Sequence, residues 1–140
     1  MVTASAGPRT TRMGLVLAAS AAGTVFEWYD FFIFGSLLSI ITKHFFAGAG
    51  ETQGYILALL TFAVGFAVRP FGGLVFGYFG DRTGRKRAFL VTITMMGVAT
   101  FAIGLLPDTS VLGNAAPYLL VGLRVLQGFA VGGEYGGAAI

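Results

Sequence analysis

Four long apolar segments, at about 14–41, 55–79, 88–106 and 118–140, leave this chain few ways to fold. A helix rising 1.5 Å per residue needs about 20 apolar residues to cross a hydrocarbon core of about 30 Å. Each segment meets that length. Backbone groups inside lipid have no water to bond to, so each spanning segment must satisfy its own and is expected to be α-helical. Charged residues make up only 11% of the 140, where soluble domains carry about 25%. A soluble domain of this size cannot bury four such helices. The expected fold is an all-α membrane protein with four transmembrane helices.

The breaks between segments, at 43–53, 80–87 and 107–117, all contain Gly or Pro, which end helices. Their basic residues are unevenly shared. Arg9 and Arg12 precede the first span, and Arg82, Arg85, Lys86 and Arg87 lie between the second and third; the other side has Lys43 alone. The positive-inside rule therefore puts the N-terminal tail, 1–13, and the second loop in the cytoplasm. Two spans separate the basic regions, as that orientation requires. A formal charge of +3 is read here as a topology signal rather than a nucleic-acid surface. A cleaved signal peptide would also begin with arginines and a short apolar run, but this run continues to Ile41. There are no cysteines, so disulfides and thiolate ligands are excluded, and one histidine, His44, cannot build a metal cluster. No cofactor is expected.

Ionisable residues inside the apolar segments carry the functional signal. A charge at the bilayer centre costs about 2.5–3.5 kcal/mol on insertion scales. Glu27 and Asp30 lie mid-segment, three residues apart and so on nearly one helix face. Two neighbouring carboxylates repel, which favours a proton on one of them. They are candidates for proton or substrate handling; neutralisation by arginines is the structural alternative. Arg69 lies about ten residues, roughly 15 Å, from the end of its span, too deep to snorkel easily. Pro70 beside it is expected to kink the helix. In the fourth segment Arg124, Gln127 and Glu134 follow helical spacing as a polar stripe that should look inward. Proton relay, substrate contact and helix-to-helix bonding all remain open for it.

Glycine, 22 residues of the chain, recurs four apart at Gly73/Gly77, Gly128/Gly132, Gly132/Gly136 and Gly133/Gly137. Small residues at that spacing let helices approach closely in lipid. The aromatics Phe26, Trp28, Tyr29, Phe31, Phe32 and Phe34 surround the acidic pair and are read mainly as packing or lipid-facing residues. His44 is placed at the outer membrane boundary.

The loop Gly77-Tyr-Phe-Gly-Asp81-Arg82-Thr-Gly84-Arg85-Lys86-Arg87, following a second span, resembles the signature loop of the major facilitator superfamily. Phe26-Glu27-Trp28-Tyr29-Asp30-Phe31, Arg69-Pro70-Phe-Gly72-Gly73 and the run from Arg124 through Gln127-Gly128 to Gly132-Gly133-Glu134-Tyr135 resemble its metabolite:proton symporter branch. The resemblance covers the chain from about Ala22 onward. It implies a bacterial inner-membrane protein built from twelve helices in two six-helix halves, with substrate between them. This chain would supply the start of the first half, and the remaining helices would be its partner. Lipid is the other partner, and nucleic acid is not one. The implied activity is proton-coupled symport of a small polar metabolite, an organic acid or a zwitterion, by alternating access. Asp81 and Arg85, with Gly77, Arg82, Gly84 and Lys86, would form the cytoplasmic gate.

Two rival readings remain. A four-helix dimeric proton antiporter fits the length but not the signature loop. A non-transporting membrane assembly subunit has no need of buried charges of both signs. An enzyme is disfavoured: the chain shows no nucleophile–base set and no phosphate-loop pattern.

Overall fold

A computed structural model describes residues 9–138, with the backbone alone for 9–12 and 136–138. Most of the expected tail, the last two residues of the fourth segment, and the side-chain surroundings of Gly136 and Gly137 lie outside the described residues. What is described is helical, with no strand: α1 (Arg9–Ser36), α2 (Leu38–Phe45), a 3-10 turn (Ala47–Ala49), α3 (Glu51–Ala67), α4 (Arg69–Thr83), α5 (Arg85–Leu105), α6 (Thr109–Leu112) and α7 (Ala115–Ala138).

Three stretches, Glu51–Thr83, Arg85–Leu105 and Ala115–Tyr135, are long and apolar enough to cross a membrane, and α1 with α2 makes a fourth span if the bent pair is counted as one. The helices outrun the apolar segments at several ends. Hydropathy marks only the hydrocarbon-depth part of a helix, whereas polar turns at the interface can stay helical. Glu51 in the first turn of α3 suits the positive end of the helix dipole, and Arg82 in the last turn of α4 suits the negative end. The 33 residues of Glu51–Thr83 measure about 50 Å, well beyond the hydrocarbon thickness. Arg69 opens α4 and lies about 21 Å along the helix from its end at Thr83, the last turn of which is polar.

The sharp bend falls elsewhere than expected. Pro70 interrupts the hydrogen-bond ladder at Val68, yet α3 and α4 continue as one span. Pro70 takes the second position of α4, near where a missing N–H is tolerated. The first segment instead turns by 64° at Leu37, between α1 and α2. The basic loop is also shorter than expected: α4 and α5 are separated by Gly84 alone, whose φ of +98° needs glycine.

The helix α7 is the hub, packed against α3, α4 and α5. Its glycines allow this. A Cβ on Gly128 would collide with the carbonyl of Gly65, and one on Gly132 with the carbonyl of Arg69. From the facing side, a Cβ on Gly72 would meet the carbonyl of Phe129. Two turns of α7 thus lie directly on the backbone across the α3–α4 junction. Gly133 is filled from the side, since a Cβ there would sit 2.6 Å from Phe76 and from Thr92 of α5. Gly77, by contrast, meets nothing within 4 Å among the described residues.

At the end of the bundle near α2 and α6, Thr109 Oγ1 donates to the carbonyl of His44 at 2.9 Å, and His44 Nδ1 lies 3.4 Å from Asp108 Oδ2. Asp108 caps α6 by accepting from the Ser110 amide at 3.2 Å, and it also accepts from the Ser110 hydroxyl. The Ser110 hydroxyl bond, helped by His44, holds the Asp108 carboxyl below its ordinary 3.8. With a lowered value in the folded state, whatever the carboxylate contributes is present above pH 3.8 and lost as pH falls through the lowered value.

Two outcomes follow. Gly132→Ala overpacks α7 against the α3–α4 junction and lowers stability by about 1–3 kcal/mol in thermal unfolding, while Gly97→Ala, in open space on α5, does not. By carboxyl NMR, Asp108 titrates below 3.8, and Ser110→Ala moves that midpoint upward.

Candidate functional site

The helix α1 meets the rest of the bundle through side chains more than through backbone. Its inward aromatics, Phe31 and Phe34, stack on Phe62 of α3 with centroids 5.0 and 5.5 Å apart, and Phe31 also meets Phe66. Phe26, Trp28, Tyr29 and Phe32 are exposed, as suits lipid-facing residues. The ring cluster therefore divides between two faces rather than enclosing the carboxyls.

Glu27 and Asp30 do not act as a mutually repelling pair. Each has its own arginine on a different helix. Arg69 Nη1 of α4 lies 2.7 Å from Glu27 Oε1, and Arg124 Nη1 of α7 lies 2.7 Å from Asp30 Oδ2. Both guanidiniums are backed by rings: Arg69 stands 4.2 Å over Phe66, and Arg124 stands 4.2 Å over Phe34 and 5.5 Å from Phe62. Aromatic faces attract a cation, and the effect strengthens where water is scarce. Arg124 is the more enclosed, its side chain 6% exposed against 26% for Arg69. The buried Nε of each arginine has no hydrogen-bond partner among the described residues.

The polar stripe on α7 divides into two groups. Gln127 is buried, accepts from Arg124 Nη1 at 2.7 Å, and donates through Nε2 to Thr100 Oγ1 of α5 at 2.7 Å. The same Nε2 lies 3.5 Å from Asp30 Oδ1. Two turns along, Glu134 points at Gly23 of α1, where a Cβ would sit 3.5 Å from its Oε2. Glu134 has no ion pair among the described residues, and its neighbour Tyr135 donates to the Glu27 carboxylate at 3.1 and 3.2 Å. Tyr135 thereby links the Glu27–Arg69 pair to the Glu134 end of α7.

Two small cavities lie along this seam. One, about 20 Å³, is lined by Glu27, Asp30, Arg69, Arg124, Gln127 and the rings of α3, and has room for about one water. The other, about 60 Å³, is lined by Ser20, Thr24, Glu27, Phe89, Glu134 and Tyr135. Neither accepts a metabolite as it stands. No cluster of three or more metal-ligating side chains occurs among the described residues.

The basic loop lies apart from this site. Asp81 and Arg85 are 4.0 Å apart and well exposed, a weak surface pair. Arg82 stacks over Tyr78 at 4.7 Å. Gly84 makes the turn, and Lys86 is exposed beside it.

Sequence reasoning missed Thr100, Tyr135 and the ring backing from Phe34, Phe62 and Phe66. Tyr135 adjoins Glu134 in the chain and could have been suspected. Thr100 is one of several threonines on an apolar helix, and nothing in its spacing marks it.

Opposite charges paired between apolar helices, along a polar seam, are the arrangement expected inside a membrane transport protein. The chain matches the family described as "Sugar (and other) transporter" over residues 15–140, and it belongs to that family of the major facilitator superfamily, whose members are transporters rather than enzymes. It is 52% identical over 122 residues to the shikimate transporter of Escherichia coli (strain K12), covering 86% of this chain and 28% of that protein. It is 44% identical over 124 residues to the proline/betaine transporter of Salmonella typhimurium (strain LT2), covering 89% and 25%. The inner membrane metabolite transport protein YhjE of Escherichia coli (strain K12) is 44% identical over 126 residues, covering 89% and 29%. The chain thus spans between a quarter and a third of the length of these relatives. No solved structure gives a significant match.

The pairing predicts an asymmetric response to mutation. Arg124→Met leaves Asp30 unpaired at depth and should cost about 3–5 kcal/mol in unfolding of a detergent-solubilised transporter carrying this segment. Adding Asp30→Leu should recover most of that loss. A double variant no more stable than Arg124→Met alone would contradict the pairing.

Proposed function

We propose that this chain forms the first four spans of the N-terminal half of a secondary transporter, with residues 14–140 as part of its transmembrane domain and the N-terminus cytoplasmic. The transporter carries a small polar metabolite with protons by alternating access. The observation that carries this reading is the pair of 2.7 Å arginine–carboxylate contacts, Arg69–Glu27 and Arg124–Asp30. Each ties α1 to a different helix at membrane depth, where unpaired charge is expensive and a proton can exchange for an arginine. In this reading a carboxyl that takes a proton releases its guanidinium. The guanidinium is then free for an anionic group of the substrate. Shikimate, proline and betaine, named for the relatives above, each carry a carboxylate of that kind.

Glu134 is the second proton site in this proposal. It lies beside the Glu27–Arg69 pair through Tyr135, and two carboxyls against one arginine leave an unbalanced negative charge for a proton to neutralise. Asp81, Arg82, Arg85 and Lys86, turned by Gly84, act as the cytoplasmic gate. The exposure of Asp81 and Arg85, and the open space at Gly77, suit a surface that docks on the other half of the transporter.

The proton role is tested in a whole transporter carrying this segment, with uptake of labelled shikimate, proline and betaine measured against an imposed pH gradient. Glu27→Gln and Asp30→Asn should each abolish or strongly reduce gradient-driven accumulation. If both retain it in full, the proton assignment is wrong.

A further inference from the structure

We infer that Thr100 is a positioning residue, which anchors Gln127 as a standby acceptor for Arg124 when the contact with Asp30 opens. The inference rests on the reading above, in which Asp30 and Arg124 separate during transport.

Arg124 Nη1 has two acceptors at the same distance. Asp30 Oδ2 belongs to α1, and Gln127 Oε1 belongs to Arg124's own helix; both contacts are 2.7 Å. An arginine donates only, so the amide must present its oxygen to Arg124 and direct its nitrogen elsewhere. The nitrogen finds Thr100 Oγ1 at 2.7 Å and is still 3.5 Å from Asp30 Oδ1. Thr100 is therefore the firm anchor of the amide, and Asp30 is the loose one.

Thr100 also differs from its neighbours. Thr42, Thr61, Thr92 and Thr94 turn their hydroxyls onto carbonyls of their own helices, whereas Thr100 spans to α7. Its helix, α5, packs on α7 as part of the bundle, while α1 is joined chiefly by side chains. An acceptor fixed to the α5–α7 frame stays with Arg124 if α1 moves. Arg124 has need of it. Its Nε is already buried without a partner among the described residues, so losing Asp30 with no substitute would leave the enclosed guanidinium supported there by rings alone. Isolated buried charge is the costliest state for such a residue. With Gln127 held in place, Asp30 can let go while Arg124 keeps one short acceptor.

The test is a double-mutant cycle in thermal unfolding of a whole transporter carrying this segment, purified in detergent, and it needs no knowledge of the substrate. Thr100→Val is nearly isosteric and should lower the melting temperature slightly in the unaltered background. In an Asp30→Ala background, where Arg124 depends on Gln127, the same change should lower it at least about twice as much, because coupled neighbours are non-additive. Thr100→Ser, which keeps the hydroxyl, should restore the melting temperature in both backgrounds. Gln127→Leu should show the same excess; Asp30→Val replaces Asp30→Ala if the latter fails to insert. Equal shifts in both backgrounds, or a Thr100→Ser variant no better than Thr100→Val, would overturn the inference. The proton reading fails separately, through gradient-driven uptake that survives Glu27→Gln and Asp30→Asn.

Discussion

A guanidinium inside a bilayer has to find acceptors, a carboxylate above all, and that requirement organises this structure. Arg69 and Arg124 each reach one, and both carboxylates lie on α1. Because α1 is otherwise held by ring stacking, with little backbone contact, the two pairs decide how closely it approaches the other helices. Bonds of this kind can be undone by a single proton. A helix held by packed side chains alone would offer no such control.

The frame against which α1 is held is built on a different principle. Around Gly65, Gly128 and Gly132 the backbones of α3, α4 and α7 touch directly, with no side chain between them. In lipid, where helices gain little from hiding apolar surface, such contact is a main source of association. The result is a set of closely fitted spans that cannot slide without clashing, bordered by one span attached through exchangeable polar contacts. The division puts Arg124 and Gln127 on the closely fitted spans and Asp30 on the span held by side-chain contacts.

Much of this was legible in the residues. The length of the apolar runs called for spanning helices, and the deep positions of Glu27, Asp30, Arg69 and Arg124 called for inward-facing partners, since lipid tolerates neither ion alone. The spacing of Gly128 and Gly132 pointed to close helix contact. The pairing was legible only in outline. Helical spacing put Glu27 and Asp30 on one face and left mutual repulsion and neutralisation by arginines both open; the fold hands Glu27 to Arg69 and Asp30 to Arg124. Nor did the chain reveal its bend. Pro70 was the obvious place for one, yet the 64° turn is at Leu37, where no proline stands. At Pro70 the helix is interrupted, at Val68, without a comparable turn, since a proline in the first turn of α4 costs few hydrogen bonds.

The sequence by itself determined that the chain crosses a membrane as helices, and which side chains would be intolerable there without partners. Those are properties of single segments in a uniform solvent, and hydropathy and charge suffice to read them. Which carboxylate meets which arginine, and that Thr100 and Tyr135 complete the network, depends on how far apart and at what angle the helices lie. Those quantities come from contacts between distant residues, such as Gly132 against Arg69, and only the assembled bundle contains them.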